Sequence, residues 1–283
     1  MKRLLIYLLL GVFSTVIVRA EEAADSVYDE DPYFILMGEA DNAIKEKNWG
    51  EAAARLEDAL RVKPDHPSNA LLFSNLGVVY TALAEDSLAL ENYNRSLSIA
   101  PNMITPLLGR GRLLLAMGRD KEAFLDFGKV IELDSINTEA RFYHGMMSLY
   151  GGIKEMAEED FAVMESVAPR STDTAVAMST LYSMTGRDAE ALPYLKKLIE
   201  SAPAAEYYAT LAGCYLNLDW LNEASETIGE GLKRFPDDPE LYYYRAWLNR
   251  ERYRLEDAHR DAKKAVALGA NPVKVDALFR GKN

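Results

Sequence analysis

Only one cysteine, Cys214, occurs in the 283 residues. One thiol cannot close an intramolecular disulfide or build a thiolate metal cluster. Histidine is almost as scarce. His66, His144 and His259 lie far apart, and no His-Glu-x-x-His joins them. A Gly-rich phosphate loop and a Gly-x-Ser-x-Gly elbow are also missing. With no catalytic constellation, the expectation is a protein that is not an enzyme and carries no cofactor or metal. Positive charge is short as well. Lys and Arg number 32 against 44 Asp and Glu, a net charge of −12. Phosphate neutralisation needs clustered cations, so nucleic acid is excluded as a partner.

Long apolar runs are few. The main one is Leu4 to Val18, preceded by Lys2 and Arg3 and followed by Val18-Arg19-Ala20. It resembles a secretory signal peptide cut before Glu21. It is short of the roughly 20 residues that a span wants. Cleavage would remove three positive charges, deepen the net charge from −12 to −15, and leave no membrane span. Residues 21–32 (EEAADSVYDEDP) are acidic and read as a disordered lead-in.

From residue 33 to 270 one pattern recurs. Take Thr172 as position 1. A small residue, Ser179, then falls at position 8, Tyr182 at 11, Gly186 at 15, Ala191 at 20, Leu195 at 24 and Pro203 at 32. Position 1 recurs at Tyr33, Ala70, Ile104, Thr138, Thr172, Ala205 and Pro239. Position 20 is alanine throughout: Ala52, Ala89, Ala123, Ala157, Ala191, Ala224 and Ala258. Position 8 is always small: Ala40, Gly77, Gly111, Gly145, Ser179, Ala212 and Ala246. Proline stands at position 32 in Pro64, Pro101, Pro169, Pro203 and Pro236. Alanine in all seven exceeds its background usage of about one residue in twelve. Gly118, Gly152 and Gly186 are placed to close helix A. Asp120 and Asp188 are placed to cap helix B. Residues 271–283 are expected to form a short cap over the last repeat.

This pattern resembles the tetratricopeptide repeat, a 34-residue helix–turn–helix unit. The resemblance implies an all-α fold, a right-handed superhelix of about seven repeats. It also implies a concave face, lined by helix A positions 2, 5, 9, 12 and 13, that holds a protein or peptide. Carried over residue by residue, the face includes Phe34, Met37, Leu108, Arg112, Phe142, Met146, Tyr150, Tyr243, Trp247 and Arg250. Family members that clamp acidic tails use Asn at position 9. Here that position is Asp41, Val78, Arg112, Met146, Thr180, Gly213 and Trp247, so the clamp is absent. An apolar ligand anchored by aromatics is expected instead, with Tyr243 and Trp247 as the leading anchors.

The expected function is an exported, non-enzymatic scaffold for protein–protein interaction, monomeric or weakly oligomeric, in a Gram-negative periplasm or outside the cell. Two alternatives remain open: an adaptor in envelope assembly or export, and a regulatory subunit of an envelope enzyme. Asp25-Ser26-Val27, Asp86-Ser87-Leu88, Asp134-Ser135-Ile136 and Asp173-Thr174-Ala175 also resemble an O-glycan acceptor motif of exported bacterial proteins. Helix capping favours the same residues.

Overall fold

The computed structural model describes residues 31–280, and all regular structure among them is α-helical. The expected signal peptide, and the lead-in up to residue 30, lie outside the described residues. The chain divides into two compact units that meet in sequence between Met147 and Ser148. Unit one pairs α1 (Pro32–Lys45) with α2 (Trp49–Val62), α3 (Asn69–Ala82) with α4 (Asp86–Ile99), and α5 (Ile104–Ala116) with α6 (Asp120–Leu133). Helix α7 (Thr138–Tyr150) carries the boundary. Unit two continues with α8 (Lys154–Val167), α9 (Thr172–Met184), α10 (Asp188–Ser201), α11 (Ala205–Asn217) and α12 (Leu221–Arg234). It closes with α13 (Pro239–Glu251), α14 (Leu255–Ala267) and the short α15 (Pro272–Ala277). Within each unit the pairs stack: α2 on α3 and α4 on α5 in one, α10 on α11 and α12 on α13 in the other.

The seam of each pair follows the sequence register. All seven position-20 alanines are 0% exposed, so no larger side chain has room there. Position 24 supplies the bulk: Leu56, Tyr93, Phe127, Phe161, Leu195 and Ile228 are almost wholly buried. In the last pair it is the smaller Ala262. Tyr93 shows why small residues are needed opposite. A Cβ on Gly77 would lie 2.4 Å from its ring, and one on Gly109 would lie 2.6 Å from it. Helices α3 and α5 both press on this ring, so one tyrosine joins two neighbouring pairs.

The turns repeat even where their residues do not. Position 15 has positive φ in all seven pairs: Gly118, Gly152 and Gly186, but also Lys47, Ala84, Asp219 and Tyr253. The N–H of position 16 reaches back to the carbonyl of position 11 each time, from Asn48 to Ala43 at 2.8 Å through to Arg254 to Asn249 at 2.8 Å. This backbone motif satisfies the last carbonyls of helix A. It also explains a correction. Asp120 and Asp188 do not cap helix B; they are its first helical residues. The cap positions fall on Arg119 and Arg187, which make no side-chain cap bond. The tight backbone turn fixes helix B one residue earlier than a side-chain cap would.

A polar device also crosses the seam. Arg110 Nε donates to Asp126 Oδ2 at 2.8 Å and its Nη2 to Oδ1 at 2.7 Å. Arg245 holds Asp261 in the same way, at 2.9 and 2.6 Å. Both pairs join position 7 to position 23. Arg141, at the position 4 that holds Phe73, Tyr208 and Tyr242 in other repeats, is buried and donates to the Ser135 carbonyl at 2.6 Å.

Candidate protein-binding faces

The residues expected on the face fall into different settings. In unit one, Phe34 and Met37 are half-buried against the first core cluster. Phe34 meets Tyr33 edge-on at 5.1 Å, and Lys63 Nζ sits 5.3 Å from its ring. Leu108 is half-buried beside Leu97, Leu107 and Val130. Arg112 forms an ion pair with Glu139, which fixes its guanidinium toward the first turn of α7. Phe142 and Met146 are only 4% and 3% exposed. They are corrected from surface to core. Bulky apolar residues at positions 5 and 9 leave water when neighbouring helices stack closely.

Repeat seven brings the second correction. Tyr243 and Trp247 on its A helix are the expected anchors of the binding face. Instead α15 lies over that helix. Asn271 accepts from the Val273 N–H at 2.9 Å and starts the helix, with Pro272 in its first turn. Val275 and Leu278 are then buried with Tyr243, Ala246 and Ala265. Tyr243 is 7% exposed, with Lys274 Nζ 4.2 Å from its ring centroid. Arg250 Nη1 donates to the Leu278 carbonyl at 2.5 Å, and Lys274 pairs with Glu240 at 2.5 Å. Trp247 remains half-buried, stacked on Tyr244 at 6.2 Å, and its Nε1 donates to Glu251 at 2.9 Å. Substituting Trp247 would therefore remove packing as well as any partner contact.

In unit two, sequence reading named Tyr150 but not the acidic positions and the tyrosine that follow it. Tyr150 ends α7 and is 40% exposed. Asp173 and Glu206 stand in the first turns of α9 and α11, and Tyr207 follows Glu206. Burial raises the Asp173 carboxyl above its usual range, although a helix N-terminus would lower it. Glu206 is raised too, by loss of water first and by Asp238 after that, while a hydrogen bond from Tyr207 opposes the rise. Tyr207 is pushed up to about 12 by burial, with the negative charges of Glu206 and Asp173 adding to it. Glu206 likewise bears on Tyr150. A carboxyl raised in the fold stabilises it most below the unfolded value, and stability falls as pH rises through the folded value. Asp173, half-buried, is thus disfavoured near neutral pH, whereas Glu206 is exposed and water screens its share. Position 2 carried the signal, with Asp173, Glu206 and Glu240 in consecutive repeats. Polarity there reads as helix solvation until burial is known.

The scarce residues take quiet places. His144 stacks on Phe124 at 4.1 Å, His259 on Phe279 at 4.2 Å, and His66 tilts against Tyr33 at 4.7 Å. Cys214 is buried, and burial pushes its thiol well up. Among the described residues, no group of three His, Cys, Asp or Glu is placed to hold a metal ion, and no helix is long and apolar enough to cross a membrane. Thr174 is 0% exposed, so the Asp173-Thr174-Ala175 motif offers no hydroxyl to a glycosylating enzyme in the folded protein. Asp25-Ser26-Val27 lies outside the described residues.

Solved structures repeat this arrangement. A tetratricopeptide repeat protein of Parabacteroides merdae superposes with a TM-score of 0.63 at 24% identity, over 88% of this chain and 98% of that one. The fold is that of tetratricopeptide repeat proteins. YrrB, a tetratricopeptide repeat protein with an unusual peptide-binding site, gives a TM-score of 0.56 at 18% identity, over 68% of this chain and 100% of its own. No protein-family model matches the chain. Among curated proteins, a UDP-N-acetylglucosamine–peptide N-acetylglucosaminyltransferase of Giardia intestinalis is 32% identical over 113 residues. That stretch covers 40% of this chain and 7% of the transferase, so the chain spans a small part of that relative's length.

Proposed function

We propose that this protein is a non-enzymatic scaffold that binds a partner protein along the A helices of its repeats. One observation carries the reading. Seam positions 8, 20 and 24 are confined to small, alanine or mostly bulky apolar residues, whereas the face positions differ from repeat to repeat. Leu108, Arg112 and Tyr150 keep part of their surface open there. Positions that keep part of their surface out of the packing can vary to suit a ligand, and a preformed scaffold loses little entropy on binding. The peptide-binding site ascribed to YrrB is in keeping with this.

A photo-crosslinking residue placed in turn at Leu108 and Tyr150 should capture a discrete partner in intact cells. The same residue at Leu125, 70% exposed on helix B, should not. Equal capture from Leu125, or none from the first two, would remove the reading.

We further propose that the scaffold works outside the cytoplasm, on the strength of the basic start, the apolar run and Ala20. The intact mass of native protein should then lack residues 1–20. Their retention in a membrane pellet would reverse this.

A further inference from the structure

We propose that the side of α13 covered by α15 is a binding groove, opened when a partner helix bearing lysine, then apolar residues one, four and five places on, displaces α15. This rests on the partner-binding reading above and names the place and the chemistry of the partner. Three observations support it. First, α15 engages the helix A positions that the family resemblance gives to a ligand. Lys274 pairs with Glu240 at position 2 and lies 4.2 Å from the ring centroid of Tyr243 at position 5. Arg250, at position 12, donates to the Leu278 carbonyl at 2.5 Å. Second, the chain shows what fits there. Val275 and Leu278 are buried with Tyr243, Ala246 and Ala265, and the Phe279 ring stacks on His259 at 4.2 Å. Lys274 also lies 5.4 Å from the Tyr244 ring centroid, and a cation gains from such faces. Third, α15 is lightly held. Its six residues are too few for a helix that is stable alone. The N–H groups of Val275, Leu278 and Phe279 bond to the carbonyls of Asn271, Val275 and Asp276, all inside the segment. Lys274 and Glu240 are 41% and 39% exposed, so water weakens their attraction. Gly269, at φ +108°, joins the segment to α14 and can swing where other residues would be strained. Segments with so few buried contacts open while the rest stays folded. Opening uncovers Tyr243, with Tyr244 and Trp247 packed beside it, and clustered aromatic rings are strong anchors.

The test has two arms, both on the full chain. In the parent, amide hydrogen exchange at Val275 and Leu278 should be at least about 100-fold faster than at Ala262 and Ala265 of α14. Equal rates would mean that α15 leaves only when the last repeat unfolds, and would overturn the proposal. The second arm uses a fluorescent peptide copying residues 271–280 and the variant Val275→Asp with Leu278→Asp, whose own α15 cannot dock. By anisotropy the peptide should bind this variant at least about tenfold more tightly than the parent, where the tethered α15 competes at high effective concentration. Lys274→Glu or Leu278→Ala in the peptide should each weaken binding by about tenfold. Val273→Ala in the peptide, at a site 66% exposed, should change it by less than about twofold.

Equal binding of all four peptides would show unselective attraction to bared rings and overturn the proposal. So would no binding to a variant whose circular dichroism keeps the helix outside α15. Should the double variant lose more helix than α15 holds, the milder Leu278→Ala chain takes its place, with the same expectations. Failure of the peptide arm retires this groove and leaves capture from Leu108 and Tyr150 standing. Failure of that capture would instead retire the scaffold reading itself.

Discussion

Phe127→Ala is expected to lower the stability of unit one by about 3–5 kcal/mol, the range for deleting a buried aromatic ring. Phe127 is 0% exposed and sits at position 24 of its pair. Its ring stacks on Tyr143 at 4.9 Å and 13°. Across the seam is Gly111, where even a Cβ would come within 2.9 Å of the ring. The hole left by alanine would therefore face a residue with no side chain to fill it. Ala123, one turn away, adds no reach. Collapse would require the helices themselves to move, and cavities that cannot collapse are the costly ones. The measurement is the denaturation midpoint followed by helical circular dichroism. Leu125→Ala provides the comparison, because Leu125 lies on the same helix at 70% exposure. It should stay within about 0.5 kcal/mol. Similar small shifts for both would mean that the seam does not lie where the register puts it.

Asp126→Ala, one residue earlier, should cost about 2–3 kcal/mol for an electrostatic reason. The carboxylate is 5% exposed and accepts two hydrogen bonds from Arg110, whose side chain is 24% exposed. Removing one partner of a fully buried pair costs about 3–5 kcal/mol, since a charge is left stranded. Arg110 would be only partly stranded. It keeps a bond to Asn94 Oδ1 at 2.7 Å and some access to water, which reduces the loss. Adding Arg110→Leu to Asp126→Leu should recover much of the deficit, because the unpaired charge is then gone. Asp58→Ala is the exposed control. Its partner Arg61 is 70% exposed, and such surface pairs contribute about 0–1 kcal/mol. A double variant no more stable than Asp126→Ala would show that the carboxylate acts through some other contact.

The two substitutions separate what was legible from what was not. Phe127 could be assigned from sequence, since its place follows from a period that small and bulky residues repeat seven times. Asp126 could not. Its partner lies sixteen residues away on another helix, and an acidic residue in a helix usually marks the solvent side. The turns show the same division. Glycine at position 15 revealed three of them, while Lys47, Ala84, Asp219 and Tyr253 adopt the same positive φ with no glycine to announce it. The backbone hydrogen bond to position 11 imposes that conformation, offsetting a strain of about 1–2 kcal/mol.

The candidate face divided less cleanly. Leu108, Arg112 and Tyr150 remain partly accessible where the family pattern put them, but Phe142, Met146 and Tyr243 are core. A face position is defined by helix geometry, whereas its exposure depends on the bulk of the next helix. Residues after Ala270 supplied that bulk for Tyr243 with fewer than two turns of helix.

By itself the sequence determined the helical class, the period, the seam and the scarcity of catalytic groups. Each is written in residue size and spacing along one chain, where sterics act locally. Only the tertiary structure decided that α15 covers Tyr243, that arginines and aspartates meet across two seams, and that Phe142 and Met146 are buried. Those outcomes depend on distances between helices. Electrostatics and desolvation are set by what surrounds a group in space, and residue order does not specify that.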